Sequence, residues 1–221
     1  MTRVAAETTD LPTLLCDVAA EVIAEKGFGG FSLREVARRA GVSHAAPGHH
    51  FGDLPGLLTE LAIQGMQRLH VEMAEASQGV DDPAERLTAM GQAYVRVATA
   101  HPARAELAWR NDVIDTDDPR YLEAGQSAYG VLHAVIEAVA EAYNPSLPVN
   151  DAAALAWSSM QGIVVLRSKL AWMGEGDPST ASDDLNQAME ALVARLTPLM
   201  INGMAGVPSA PSAATRSEPT G

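Results

Sequence analysis

Cysteine is nearly absent: Cys16 stands alone among 221 residues. That excludes an intrachain disulfide and fits a reducing compartment. It falls among Leu14, Leu15 and Val18, which predicts a packed core thiol rather than a reactive one. Long apolar runs are missing too. No stretch approaches the ~18 residues needed to cross a bilayer. The N-terminus, Met1 to Asp10, has no hydrophobic segment after Arg3, so no secretory leader is expected and the chain reads as cytoplasmic. Positive charge is the third scarcity, with 15 Lys and Arg against 28 Asp and Glu, a formal charge of −13. Global charge therefore argues mildly against a polyanionic partner. Phosphate contacts depend on local charge, however. Arg34, Arg38 and Arg39 sit together against one nearby acid, Glu35, while acids crowd elsewhere around Asp81, Asp82, Asp115, Asp117, Asp118, Glu175, Asp183 and Asp184. Enzyme signatures are absent as well. There are no paired carboxylates, no nucleophile–base pattern and no glycine-rich phosphate loop with its lysine, so neither catalysis nor a cofactor is expected.

What is present is helical periodicity. Asp10 suits an N-cap and Pro12 a first turn. Leu11, Leu14, Leu15, Val18, Ala19, Val22 and Ile23 then recur at spacings of three and four until Gly27, a residue that ends helices. Long helices are predicted over about 54–77, from Asp82-Pro83 to His101-Pro102, a shorter one to about Val113, then from Asp118-Pro119 to Tyr143, over about 150–173 and over about 178–204. No segment alternates as a strand would, so the fold class is all-α. From Gly203 onward the residues have almost nothing to bury, which predicts a disordered tail over 203–221.

Between the first two of these helices lies F-S-L-R-E-V-A-R-R-A-G-V-S, residues 31–43. Ser32 and Glu35 form a capping box, and Phe31 with Val36 supplies a hydrophobic staple. Leu33, Val36, Ala37 and Ala40 face inward and the arginines outward. Gly41 closes the helix, Val42 can pack back onto it, and Ser43 caps whatever follows. A helix, a three-residue turn containing glycine and a second cap describe a helix-turn-helix over about 32–51. The second helix carries Pro47-Gly48, otherwise a strong turn signal. Counted from Ser43, Pro47 stands at N4 and removes only the first intrahelical bond, so a short, poorly preorganised helix is expected.

The segment from about Leu11 to Leu69 resembles the N-terminal domain of TetR-family transcriptional regulators. The resemblance is carried by A-E-K-G-F, by S-L-R-E-V-A-R-R-A-G-V-S, and by H-H-F before a long helix. Farther on, D-P-A-E-R-L, H-P-A-R and A-W-S-S-M-Q-G look like a subgroup with a Trp-x-x-x-His-Gly signature, here Trp157 to Gly162 with Gln161 at the histidine position. The H-A-A-P of residues 44–47 is similar to that subgroup too. The resemblance implies a three-helix DNA-binding domain over 1–53 and a helical bundle over 54–202 that binds a small molecule and dimerises. It implies a homodimer on double-stranded operator DNA.

On that footing Ser32 offers the free N–H groups of a helix start to a phosphate, and Arg34 and Arg38, at i and i+4, reach the backbone. Ser43, His44, Ala45 and Ala46 occupy the positions that insert deepest into the major groove. Alanine can touch a thymine methyl and His44 can donate to a base edge. His49 aligns with a phosphate contact, and His50 and Phe51 align with positions that pack on the first helix. Two departures matter. Relatives usually carry an aromatic residue at Gly48 and a lysine at Leu54, both touching the DNA backbone. Their loss should weaken binding and flatten its salt dependence, which leaves open a protein of this fold with weak or lost DNA binding. A metal site built from His44, His49, His50 and Asp53 is disfavoured, because adjacent helical histidines point about 100° apart.

For the effector, Met90, Tyr94, Trp109, Tyr129, Trp157 and Met160 are mid-helix apolar residues that can line a bundle cavity or belong to the core. Arg110, His133 and Gln161 can orient a polar group. A largely apolar molecule is expected. The helices over about 150–173 and 178–202 carry more apolar residues than one core stripe needs, which suggests a four-helix interface between two subunits.

Overall fold

A computed structural model describes the backbone of residues 10–173 and 181–205, and the side chains of 10–166 and 186–203. Among the described residues there are nine α-helices and no strand: α1 Leu11–Lys26, α2 Leu33–Ala40, α3 Ala46–Phe51, α4 Leu54–Ala76, α5 Pro83–Ala100, α6 Pro102–Leu107, α7 Pro119–Tyr143, α8 Val149–Met173 and α9 Ala181–Ala205. The all-α expectation holds. α9 continues past Gly203 to Ala205. The remainder of the expected tail, 206–221, lies outside the described residues.

The described chain divides into two compact units, one of residues 10–75 with 93–130, the other of 76–92 with 131–173 and 181–205. In the first, α1 packs on α2, α3 and α6, and α2 packs on α3. Leu15, Val22, Val36, Leu57, Leu61 and Leu107 are fully buried in its core. Each such side chain contributes about 1.5–3 kcal/mol relative to remaining in water. Cys16 is buried in the same cluster, as expected, and burial pushes its thiol up to about 11.

Helix ends follow local chemistry. Gly27 takes a φ of 67° and its N–H donates to the Ile23 carbonyl. Gly41, at φ 70° and ψ 27°, lets its own N–H and that of Val42 reach back to Arg38 and Ala37, a Schellman closure. α4 is capped by Asp53, whose Oδ1 accepts from the Gly56 N–H at 2.9 Å. A Cβ on Gly56 would stand 2.0 Å from the Phe51 carbonyl oxygen, so only glycine lets α3 and α4 meet this closely. Thr59, buried in α4, accepts from the Asp115 N–H at 2.8 Å and anchors the α6–α7 connection.

α6 stops at Leu107, short of the expected Val113. Beyond it the N–H groups of Trp109 and Arg110 bond three residues back instead of four, and Arg110 turns to Asp112, which it grips through Nε at 2.7 Å and Nη2 at 2.8 Å. In the second unit α8 packs on α9. A Cβ on Gly91 would meet Val193 at 2.7 Å and the Met160 sulfur at 2.9 Å, so α5 approaches both helices there.

Candidate functional site

The first candidate surface is built by α2 and α3. Ser32 caps α2, its hydroxyl accepting from the Glu35 N–H at 3.3 Å. The Glu35 carboxylate takes Lys26 Nζ at 2.7 Å, Arg38 through Nε and Nη2 at 2.9 Å each, and Arg39 Nε at 3.0 Å. These cations, Arg38 foremost, hold the Glu35 carboxyl well below the usual carboxylate range. Arg39 also pairs with Glu25, and the two acids, Glu25 foremost, raise its guanidinium further. Arg34 is exposed and has no ion-pair partner among the described residues. The basic patch legible in the sequence is therefore largely cross-linked, with Arg34 as its uncommitted member. From Arg39 to Arg68 the chain has no lysine or arginine at all.

Ser43 does not cap α3. Its carbonyl accepts from the Ala46 N–H at 3.0 Å, closing a turn through His44 and Ala45, and the helix starts at Ala46 after Ala45 at φ −82°, ψ −19°. Pro47 consequently lies within the first two helical positions instead of at N4. There its missing N–H removes no helical bond and its fixed φ suits the turn. Its ring is buried, and the helical bonds His49 to Ala45 and Gly52 to Gly48 are intact at 3.0 Å. Ser43, His44, Ala45 and His49 are exposed, and Ala46 and Gly48 are half-buried. A Cβ on Gly48 meets nothing within 4 Å. Phe51 and Leu54 pack against the core, but His50 is exposed, contrary to its expected place in that core. The six-residue helix turns it away from α1.

A second candidate lies in the same unit. A cavity of about 30 Å³ is walled by α4, α5 and α6 and by the turn after α6, with Met66, Leu69, Tyr94, Val97, Ala108 and Trp109 in its lining. Arg68, His101 and Arg104 complete it on the polar side. Trp109 hydrogen-bonds Tyr94, whose phenol burial keeps protonated far above the usual range; the indole N–H is the donor. Arg104 reaches out of the lining, donating to Asp17 on α1 at 2.6 Å and to Gln64 on α4 at 3.3 Å. The nearest atom to a Cβ placed on Gly65 would be the Arg104 carbonyl at 2.9 Å, so α4 and α6 are in tight contact beside the cavity.

Of the nine residues suggested by the sequence for a ligand, Tyr94 and Trp109 line this cavity. Arg110 stacks 4.8 Å above the Phe28 ring and pairs with Asp112. Met90 and Met160 are buried in the second unit, and Tyr129, Trp157 and Gln161 are half-buried. His133 is held by Asn150 at 3.0 Å through Nε2 and lies 3.5 Å from Glu137 through Nδ1. Arg68, His101 and Arg104 were not anticipated. His101-Pro102 reads as a helix boundary, and nothing in the pattern signals that it faces a cavity.

Two family models match the chain. Residues 15–61 match a family model described as bacterial regulatory proteins, tetR family, and residues 87–196 match one described as tetracyclin repressor-like, C-terminal domain. The chain is 28% identical over 96 residues to the HTH-type transcriptional regulator YobS of Bacillus subtilis strain 168. That match spans 43% of this chain and about half, 49%, of YobS. A solved protein of unknown function from Rhodococcus sp. RHA1 is similar at 26% identity and a TM-score of 0.71, over 91% of this chain and 98% of its own. The transcriptional regulator FadR from Bacillus subtilis, solved with stearoyl-CoA, shares the fold at 15% identity and a TM-score of 0.60, covering 80% and 96% of the two chains.

Proposed function

The chain belongs to the TetR family of bacterial transcriptional regulators, and on that premise we propose that it is a homodimeric, ligand-responsive repressor released from a palindromic operator by a small, largely apolar effector. The observation that carries this reading is the closed α2–turn–α3 motif with Ser43, His44, Ala45 and His49 exposed on one short segment. Small residues there permit close approach to base edges, and the α2 N-terminus with Arg34 supplies phosphate contacts. Arg38 joins them when phosphate competes with Glu35.

The cavity beside α6 supports effector binding, since Arg104 belongs to its wall and also grips Asp17 of α1. An occupant that moves α6 acts on α1 through that bond, shifting the population of DNA-competent states. FadR, solved with an acyl-CoA, lends support to an apolar effector. For dimerisation, Leu155, Val165 and Leu166 on α8 and Leu199 on α9 are exposed apolar side chains. They support an interface through about 150–173 and 178–202, of which 178–180 and the side chains of 167–173 and 181–185 lie outside the described residues.

A second reading keeps the fold and loses the operator. Gly48 offers no side chain, Leu54 is turned to the core, and Glu35 and Glu25 occupy Arg38 and Arg39. Electrophoretic or fluorescence titration of the DNA upstream of its own gene, at two salt concentrations, separates the two. Salt-dependent binding that the apolar effector relieves supports the repressor. Absence of binding at either salt supports the second reading.

A further inference from the structure

We propose that the cavity walled by α4, α5 and α6 takes a ligand with an apolar body and a single anionic head, of which a carboxylate is the simplest. This rests on the reading of that cavity as the effector site. Five polar side chains line it: Arg68, His101, Arg104, Tyr94 and Trp109. All five can donate a hydrogen bond, and none is an aspartate, glutamate, asparagine or glutamine. In a chain with 28 acids and 15 bases, an acid-free lining containing two arginines is a marked local reversal of charge.

The arginines have partners, yet they are not saturated. Arg68 donates through Nε to Glu72 at 3.0 Å, and Arg104 donates to Asp17 and Gln64. All three partners stand outside the lining. A guanidinium carries five N–H donors, so a single carboxylate leaves others available to a second. Both arginines also act on His101. Burial, then Arg68 and Arg104, hold His101 below its ordinary value, while Glu72 and Asp17 pull weakly the other way. A neutral imidazole still presents an N–H. A cationic head would meet two guanidiniums and no carboxylate in the lining, with the imidazole nitrogen, the Tyr94 oxygen and backbone carbonyls as its acceptors, a poor exchange for its hydration.

The rest of the lining is hydrocarbon. The enclosed volume, about 30 Å³, holds the head and first carbons. A longer body has to displace Trp109, which at 41% exposure is the more solvent-accessible of the two aromatic rings of the lining, Tyr94 being buried. The head beside Arg104 then competes with Asp17 for the same guanidinium, which gives the anion a direct hold on α1.

The test is calorimetric titration of the full-length protein with butyrate, octanoate and decanoate and with the matching alcohols and amines. Carboxylates are expected to bind at least about tenfold more tightly than alcohols of equal length, with amines weakest. Arg68→Gln, at an exposed residue, removes one of the two guanidiniums and should narrow that margin at least severalfold while sparing alcohol binding. Equal affinity for acid and alcohol, preference for the amine, an undiminished margin in Arg68→Gln, or no binding at any length overturns the proposal. The same carboxylate is then added to the protein–DNA complex. If it binds the protein without releasing DNA, the ligand class stands and the repressor reading fails.

Discussion

Gly48 is the residue at which structure and expectation meet most sharply. Its Cβ direction is open, so Gly48→Tyr is sterically free to supply the DNA-backbone contact that the family resemblance implies. One added charge-assisted contact should tighten operator binding by about tenfold, ~1.4 kcal/mol, measured by fluorescence anisotropy. Unchanged affinity would mean that α3 does not lie against DNA in this register. Cys16 makes a prediction about stability. Burial raises its thiol from 9.0 to about 11, so the folded chain retains a proton that the unfolded chain gives up. The corresponding stabilisation is fully present below pH 9.0 and lost as pH rises through about 11. The urea midpoint of the wild type should therefore fall more steeply over that window than that of Cys16→Ala. Parallel curves would show that the thiol titrates normally. Residue by residue, the motif was legible where a signal is local: Ser32 caps, Gly41 closes and Cys16 packs. Residue roles that depend on a distant partner were not. Whether Arg39 reaches Glu25 on α1, and whether Arg104 lines a cavity, depends on where other helices place their side chains.

At the scale of elements, α2 and α3 are built differently. α2 is a complete unit, capped at Ser32 and closed at Gly41. α3 has six residues, no side-chain cap and a proline in its first turn, and it starts later than the sequence predicts because Ser43 has the chemistry of a cap without the geometry. Serine is equally suited to a turn, and backbone dihedrals decide which role it takes. The cross-linked face of α2 gives the element its prediction. In Glu35→Gln the helix loses an acid from its first turn, which lowers its stability slightly. Arg38 and Lys26 are released to phosphate at the same time, so DNA affinity should rise and its salt dependence steepen although stability falls. Affinity that falls in step with stability would show that Glu35 serves to orient the arginines. Among the suggested apolar ligand residues, Met90, Tyr94, Tyr129, Trp157 and Met160 lie within helices and Trp109 lies in the turn after α6; a stripe facing a cavity and one facing a packed neighbour have the same period.

The whole molecule is acidic, with a formal charge of −13, and its fixed cations near the motif are confined to α2 and the end of α1. On the proposed reading, two copies of the motif held at a set spacing read the operator, which makes the dimer part of the function. Leu166 and Leu199 are 55% and 65% exposed, so replacing either by glutamate should leave the monomer folded. It should split the dimer in sedimentation equilibrium and abolish tight DNA binding with it. A variant that remains dimeric would move the interface elsewhere. The central claim, that this motif reads DNA as a symmetric pair, is tested most directly by selecting duplexes from a random-sequence pool with the purified protein. The account predicts enrichment of an inverted repeat whose half-sites lie one helical turn, ~34–36 Å, or a multiple of it apart. A selected pool that shows no palindrome, or recovery no better than with a chain lacking residues 32–51, would contradict it.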